Sequence, residues 1–358
     1  MKRCPECRRD YYDDTLNFCL EDGTPLVYGV AADEPATAIM SQSPAAPSDY
    51  PSPDEGAATL HFQAPKRPRT EAGQQDIRFC TTADGVRLAY SVIGHGPFLV
   101  RVLGHFTHLE MEWEWPDLRH LWEQLAERYS VVRYDGRGIG LSDHYAGEFT
   151  EDTRQFDLDA VLTAVEAKAA TLLGISEGGW TAAAYANLHP DLIGRLILYG
   201  AYSRGAQARA FYDPEEDAAL VTLIRKGWGR DTPAFRQVIT STFFRPDADP
   251  KLIAHFNELQ RTSADSETAA RYYQSLHNRG DGGGIFRLVK VPTLVLHCRD
   301  DMAVSAEEGR LLASIIPGAH LVLLPSGTHY FPTDREVVTK VVGAIHRFVD
   351  GNKKRPGF

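Results

Sequence analysis

ATLLGISEGGWTAAA, residues 170–184, is the stretch on which the reading of this chain turns. Thr171, Leu172 and Leu173 are apolar or β-branched and read as the end of a buried strand. Gly174-Ile175-Ser176-Glu177-Gly178-Gly179 follows, then an alanine-rich run to Leu188 that reads as a helix. G-x-S-x-G between a strand and a helix is a nucleophile elbow. The turn is sharp, so the serine takes a strained backbone conformation and its hydroxyl projects from the top of a sheet. The glycines keep side chains out of the space where strand and helix cross. The helix that begins after Ser176 turns its first N–H groups toward the same point, which suits a developing oxyanion. The motif is short, and a surface serine in a glycine-rich turn would also carry it. The rest of the chain must therefore supply a base and an acid.

Working outward, strand-like segments lie at 76–82 and 86–93, joined by Ala83-Asp84-Gly85, and at 98–103, 131–134, 196–199, 292–297 and 320–324. Helical spacing covers 115–129 and 334–349, and Ser305 with Glu308 has the form of a capping box. Strands alternating with helices predict a mostly parallel sheet with helices on both faces. Residues 204–285 interrupt that alternation with repeated helix starts: Asp213-Pro214, Thr232-Pro233, Asp249-Pro250, and a cap at Asp265. They predict a helical lid, with Trp228, Phe235, Phe243, Phe244, Phe256, Tyr272 and Tyr273 as core or pocket lining and Asp281-Gly282-Gly283-Gly284 as the return hinge. The acidic run Glu110, Glu112 and Glu114 reads as a solvated loop; the alternative is a subsite for an amine-bearing substrate.

Three features together resemble the α/β-hydrolase fold superfamily over residues 76–350: D-G-V-R-L-A-Y from Asp84, D-G-R-G-I-G-L-S-D from Asp135, and G-I-S-E-G-G at the elbow. T-H-L-E from Thr107 and W-E-W-P from Trp113 look most like bacterial hydrolases often fused to adenylate cyclase or DNA-binding domains. The resemblance implies the order Ser, Asp, His: Ser176 as nucleophile, Asp301 as acid and His329 as base, each in a loop after a strand. Asp300 competes for the acid, and His297, His105 and His108 for the base. Asp301 matches the pattern H-G-x-x-D-x-x-V, with His297 and Val304 at its ends and Cys298 where glycine is usual. Asp135, Arg137 and Ser142 are a structural corner in such proteins. One oxyanion N–H would be that of Glu177, the other that of Phe106 or His105; the family shows His-Gly there and this chain Gly104-His105. The implied activity is a serine hydrolase acting through an acyl-enzyme on a small-molecule ester, lactone, thioester or amide, with no organic cofactor. The rival expectation is a ligand-sensing module on the same fold.

Before this domain the chain changes character. Cys4-Pro5-Glu6-Cys7 and Cys19-Leu20-Glu21-Asp22 resemble the two knuckles of short bacterial zinc-ribbon headpieces, with Asp22 or a water as fourth ligand. A segment of this size, 1–28, needs its metal to fold, and it is a candidate docking point for a protein partner. Residues 29–75, rich in Ala, Pro, Ser, Asp and Glu, bury too little to offset ordering entropy and read as a flexible linker; 351–358 reads as a tail. With 358 residues, 43% hydrophobic, the chain can bury a large core. A net charge of −10 argues against nucleic acid or an anionic membrane as partner. No run is long and apolar enough to span a bilayer. Five cysteines, and a start without an apolar leader core, make the expected setting cytoplasmic.

Overall fold

The computed structural model describes residues 2–3, 10–11, 27–28 and 75–351, apart from 103, 145–146, 210–211 and 331–333, with side chains from residue 75 onward. The chain divides into two units, Met1–Lys66 and Arg67–Phe358. The first holds a three-stranded antiparallel sheet of β1 (Lys2–Arg3), β2 (Asp10–Tyr11) and β3 (Val27–Tyr28), with β1 in the middle. Cys4, Cys7, Cys19, Asp22, nearly all of the linker and nearly all of the tail lie outside the described residues.

The second unit is built on eight strands: β4 (Ile77–Thr81), β5 (Arg87–Ile93), β6 (Phe98–Val102), β7 (Ser130–Tyr134), β8 (Ala170–Ile175), β9 (Ile193–Tyr199), β10 (Thr293–Cys298) and β11 (His320–Leu324). They run in the order β11-β10-β9-β8-β6-β7-β5-β4. From β7 to β11 neighbours are parallel, whereas β5 pairs antiparallel with both β4 and β7. Strands buried on both faces read as continuous apolar runs, and β7, β8 and β10 are buried at every position.

Alternate residues feed two cores. Val100, Val102, Leu172, Leu196, Leu198 and Val295 pack with Leu158, Trp180, Tyr185 and Leu312 from α3 (Glu151–Ala164), α4 (Gly178–Leu188) and α10 (Ala306–Ile315). Leu99, Leu173, Ile197, Leu294 and Leu296 pack on the other face with Leu121, Trp122, Val341 and Ile345 from α2 (Pro116–Ala126) and α11 (Arg335–Gly351). This is the period-two alternation of a sheet covered on both sides.

The helix expected over 115–129 is α2, shorter at both ends, and a separate short helix precedes it. α1 (Leu109–Glu114) is capped by His108, whose Nδ1 accepts from Met111 N at 3.5 Å. α2 then starts at Pro116. A proline pushes the preceding residue out of the helical region, and Trp115 is extended, with φ −83° and ψ 107°. The acidic run is therefore helical, and neither expectation for it survives at Glu112, which is fully buried.

Between β9 and β10 the chain leaves the sheet through α5 (Pro214–Gly227), α6 (Ala234–Phe243), α7 (Pro250–Ser263), α8 (Ser266–His277) and α9 (Gly283–Arg287). Asp213, Asp249 and Asp265 cap α5, α7 and α8 through their carboxylates. α6 starts one residue later than Thr232-Pro233 suggests, with Pro233 at the cap and no side-chain bond. The insertion has a closed neck: Arg204 bridges Asp281, Gly205 N donates to Gly280 O at 2.7 Å, and Gly282 N to Ser203 O at 2.8 Å. The expected glycine hinge is close-packed, since a Cβ on Gly282 would lie 2.3 Å from the Trp180 ring. Ser305 caps α10 as expected, but Glu308 does not complete a box; its carboxylate takes Arg204 at 2.6 Å.

Candidate active site

Ser176 sits between β8 and α4 with φ +51°, the left-handed region that a β-substituted residue occupies at a cost. The fold holds it there. Ser176 N donates to Tyr199 O at 2.8 Å, tying the turn to β9. The helix then crosses so closely that a Cβ on Gly179 would stand 2.7 Å from that of Ala201.

Asp301 follows β10 and His329 follows β11. Both strands run parallel to β8, so all three loops open at the same carboxyl edge of the sheet, where ligands bind in folds of this kind. His329 Nε2 lies 2.9 Å from Ser176 Oγ, and its Nδ1 lies 3.0 and 2.9 Å from Asp301 Oδ1 and Oδ2. A carboxylate only accepts, so the proton sits on Nδ1 and the Nε2 lone pair faces the serine hydroxyl. Asp301 Oδ1 also accepts from Ala303 N at 3.0 Å and Val304 N at 2.8 Å. Burial alone would raise the Asp301 carboxyl; the neighbouring His329 ring, these N–H groups and His297 outweigh it and hold it below the usual carboxylate range. His329 is 3% exposed, and its own N–H donates to Phe243 O at 2.9 Å.

The competitors fall elsewhere. Asp300 is exposed. His297 is buried beside the acid loop, with Nε2 2.9 Å from Val304 O and 3.7 Å from Asp301. His108 caps α1. His105 lines the cleft above Ser176, its ring packed against Phe106, Phe243 and Phe256, and burial pushes its imidazole down to about 3. Gly104, just before it, is where the loop after β6 crosses the elbow: a Cβ there would meet Ile175 O at 1.8 Å. That crossing needs glycine first, so Gly-His stands where the family shows His-Gly. Among the described residues no hydrogen bond takes up the N–H of Glu177, His105 or Phe106. The Glu177 side chain points away, buried against Arg279 at 2.5 Å and Tyr202 Oη at 3.4 Å; burial raises its carboxyl and Arg279 opposes the rise.

Asp135, Arg137 and Ser142 form a buried corner beneath the site. Asp135 accepts from Thr107 Oγ1 and from the N–H groups of Leu109 and Leu141. Arg137 pairs with Asp84 and Asp157 at 2.7 and 2.8 Å. Ser142 Oγ donates to Asp135 O at 2.6 Å and accepts from Ala89 N at 2.9 Å.

The cleft over Ser176 is narrow, with a cavity volume of about 20 Å3, room for about one water. Ile175 and Phe243 give it apolar walls, and Arg101, Thr107 and Tyr330 also line it. Of the insertion's aromatics, Phe243 is the one that reaches the cleft; Trp228, Phe244, Phe256 and Tyr272 are buried packing. Behind the cleft lies a cluster that the sequence reading missed. Glu112 takes both its oxygens to Arg101 Nη1 at 2.8 and 2.6 Å, approaches Arg133 at 3.6 Å, and accepts from Tyr330 Oη at 2.8 Å. Arg133 also donates to Gln75. Both guanidiniums lie over the Trp122 ring, 5.7 Å from its centroid. A signal was present: Arg101 and Arg133 stand inside otherwise apolar strands, and a buried cation demands a carboxylate.

Comparison with known proteins agrees with this architecture. The family model described as alpha/beta hydrolase fold matches residues 110–335, well over half of the chain. The mouse protein named serine hydrolase BPHL is 26% identical over 251 residues, 69% of this chain and 78% of that one. A 2-hydroxy-6-oxo-6-(2'-aminophenyl)hexa-2,4-dienoic acid hydrolase of Metapseudomonas resinovorans is 26% identical over 256 residues, 69% of this chain and 83% of that one. A hydrolase from Pseudomonas aeruginosa PA01 superposes with a TM-score of 0.62 at 26% identity, covering 76% of this chain and 98% of its own. With its eight-stranded sheet and its elbow, this chain belongs to the alpha/beta hydrolase fold family.

Proposed function

We propose that the protein is a serine hydrolase that cleaves a small ester, lactone, thioester or amide through a covalent acyl-enzyme. The observation that carries this reading is the unbroken relay from Asp301 through His329 to Ser176 Oγ, with contacts of 2.9 Å at both joints. His329 Nε2 takes the serine proton as Oγ bonds to the acyl carbon. Asp301 keeps the ring in the required tautomer and stabilises the imidazolium. The N–H of Glu177, at the start of α4, and that of Phe106 or His105 receive the oxyanion. His329 then returns the proton to the leaving group, and a water, deprotonated by the same nitrogen, releases the acid. No organic cofactor enters this sequence. The helical insertion acts as a lid: Phe243 walls the cleft, and its carbonyl holds the His329 backbone.

A fluorophosphonate probe tests the reading. The wild type is expected to be labelled at Ser176, and Ser176→Ala and His329→Ala to lose both labelling and turnover of short p-nitrophenyl esters by several orders of magnitude. Labelling that persists in Ser176→Ala sinks it.

For the N-terminal unit we propose a structural zinc on Cys4, Cys7, Cys19 and Asp22, in a headpiece that docks a protein partner. The supporting observation is the order β2-β1-β3: C-P-E-C falls in the β1–β2 connection and C-L-E-D in the β2–β3 connection. When bound, zinc would supply folding energy rather than chemistry. Elemental analysis of the full chain should give about one zinc per protein, lost in Cys4→Ser/Cys7→Ser; a zinc-free protein with folded headpiece refutes it.

A further inference from the structure

Arg101 is a charged side chain, 2% exposed, that lines the same cleft as Ser176 and His329. Its Nη1 is taken by Glu112 and its Nη2 by Tyr134 O at 3.2 Å, but its Nε has no partner among the described residues. On the other cleft wall His105 Nε2 is buried, with Gln260 beside the ring. A buried donor left unpaired is costly, so the cleft is built to be completed by an acceptor.

Arg101 and Arg133 both feel the Glu112 and Asp135 carboxylates. In direct contact they share one carboxylate, Glu112, which Tyr330 also occupies. Arg133, lowered by burial to about 10, keeps its proton at neutral pH. The next carboxylates are engaged: Asp135 by Thr107 and two backbone N–H groups, Asp301 by His329 and two more. With neutral His105, the cleft offers one unpaired guanidinium N–H, that of Arg101 Nε, behind apolar walls.

We propose that this is a subsite for a carboxylate on the acyl side of the substrate: the enzyme prefers short acyl groups that end in an anion, received by Arg101 Nε with His105 beside it. The proposal rests on the hydrolase reading above and names its substrate class. Its reach is set by the sheet. Arg101 pairs with Leu173, three residues before Ser176, so their backbones are about 10 Å apart along the strands at ~3.3 Å per residue.

The test compares two esters on the wild type: the p-nitrophenyl monoester of glutaric acid and p-nitrophenyl pentanoate, alike in length but differing in the terminal charge. kcat/KM is expected to be about tenfold or more higher for the glutarate ester, the worth of one charge-assisted hydrogen bond. That ratio should collapse in Arg101→Gln and be partly restored in Arg101→Lys. A wild-type ratio at or below one overturns the subsite while leaving the hydrolase reading intact, because the pentanoate ester is still turned over. If neither ester reacts, titration calorimetry with free glutarate reads the subsite directly: binding lost in Arg101→Gln supports it, and no binding to the wild type overturns it. Failure of phosphonate labelling separately removes the hydrolase reading.

Discussion

Glu112→Ala is the substitution from which the structure predicts most. Glu112 is fully buried, and so is Arg133; Arg101 is 2% exposed. Removing the carboxylate takes from two buried guanidiniums the counter-charge they contact directly and removes the Glu112 acceptor of the Tyr330 hydroxyl. Breaking a buried ion pair from one side costs about 3–5 kcal/mol, a large part of the ~5–15 kcal/mol that holds a domain together. At roughly 2–4 °C per kcal/mol for a domain of this size, the unfolding midpoint should fall by about 6–20 °C. Thermal melts by circular dichroism, checked by urea unfolding, measure it. Glu110→Ala is the internal control: Glu110 is on the same short helix but exposed, and its loss should stay within about 0.5 kcal/mol. Equal shifts for the two variants refute the reasoning and return the acidic run to a solvated surface. Tyr330 follows His329 directly, so Glu112→Ala should also lower kcat at temperatures where it remains folded.

Ser176→Gly should be more stable than Ser176→Ala by about 1 kcal/mol, because glycine tolerates φ +51°; equal melting points refute that. Asp301→Asn should lower kcat by about 10^4-fold through the wrong imidazole tautomer, and Asp300→Asn should leave it within a few-fold; matching losses in ester turnover would dissolve the distinction between the two acids. Asp84 is held down to about 2, chiefly by its hydrogen bond to Arg137, against an ordinary value of about 3.9. Its folded value is the lower one, so its contribution is complete above about pH 5 and is lost as pH falls toward about 2. Acid titration of stability should fall more steeply for the wild type than for Asp84→Asn over that window, and parallel curves contradict it.

The sheet and its elbow were legible because they rest on local signals. Buried parallel strands write themselves as apolar runs, and G-I-S-E-G-G states its own turn. Asp213, Asp249 and Asp265 announce their helices by capping chemistry that acts within three residues. Illegible from local pattern was whatever depended on distant partners. Glu112 looked like one more acid in a charged stretch; only the approach of β6, β7 and the loop after β11 makes it a core residue. Glu308 had the spacing for a capping box, but Arg204, far away in sequence, supplies a stronger partner. The short helix before Pro116 was missed because its acidic run, Glu110 to Glu114, has the composition of a solvated loop. The knuckle residues and the linker fall outside the described structure, and their reading still rests on the sequence.

β9 and β10 are hydrogen-bonded neighbours, yet roughly ninety residues leave and return between Tyr199 and Thr293. Loop-closure entropy grows only logarithmically with length, by about 0.6 kcal/mol for each doubling. The neck at Arg204 and Asp281 already brings the ends together, so what lies beyond it adds little to the cost of forming the sheet. The loops that carry Ser176, Asp301 and His329 thus bear little of the entropic cost of the length of that segment, which reaches them through the Phe243 carbonyl on His329 N. Exchange of that segment would alter the Phe243 wall of the cleft while adding little to the entropy of closing the sheet.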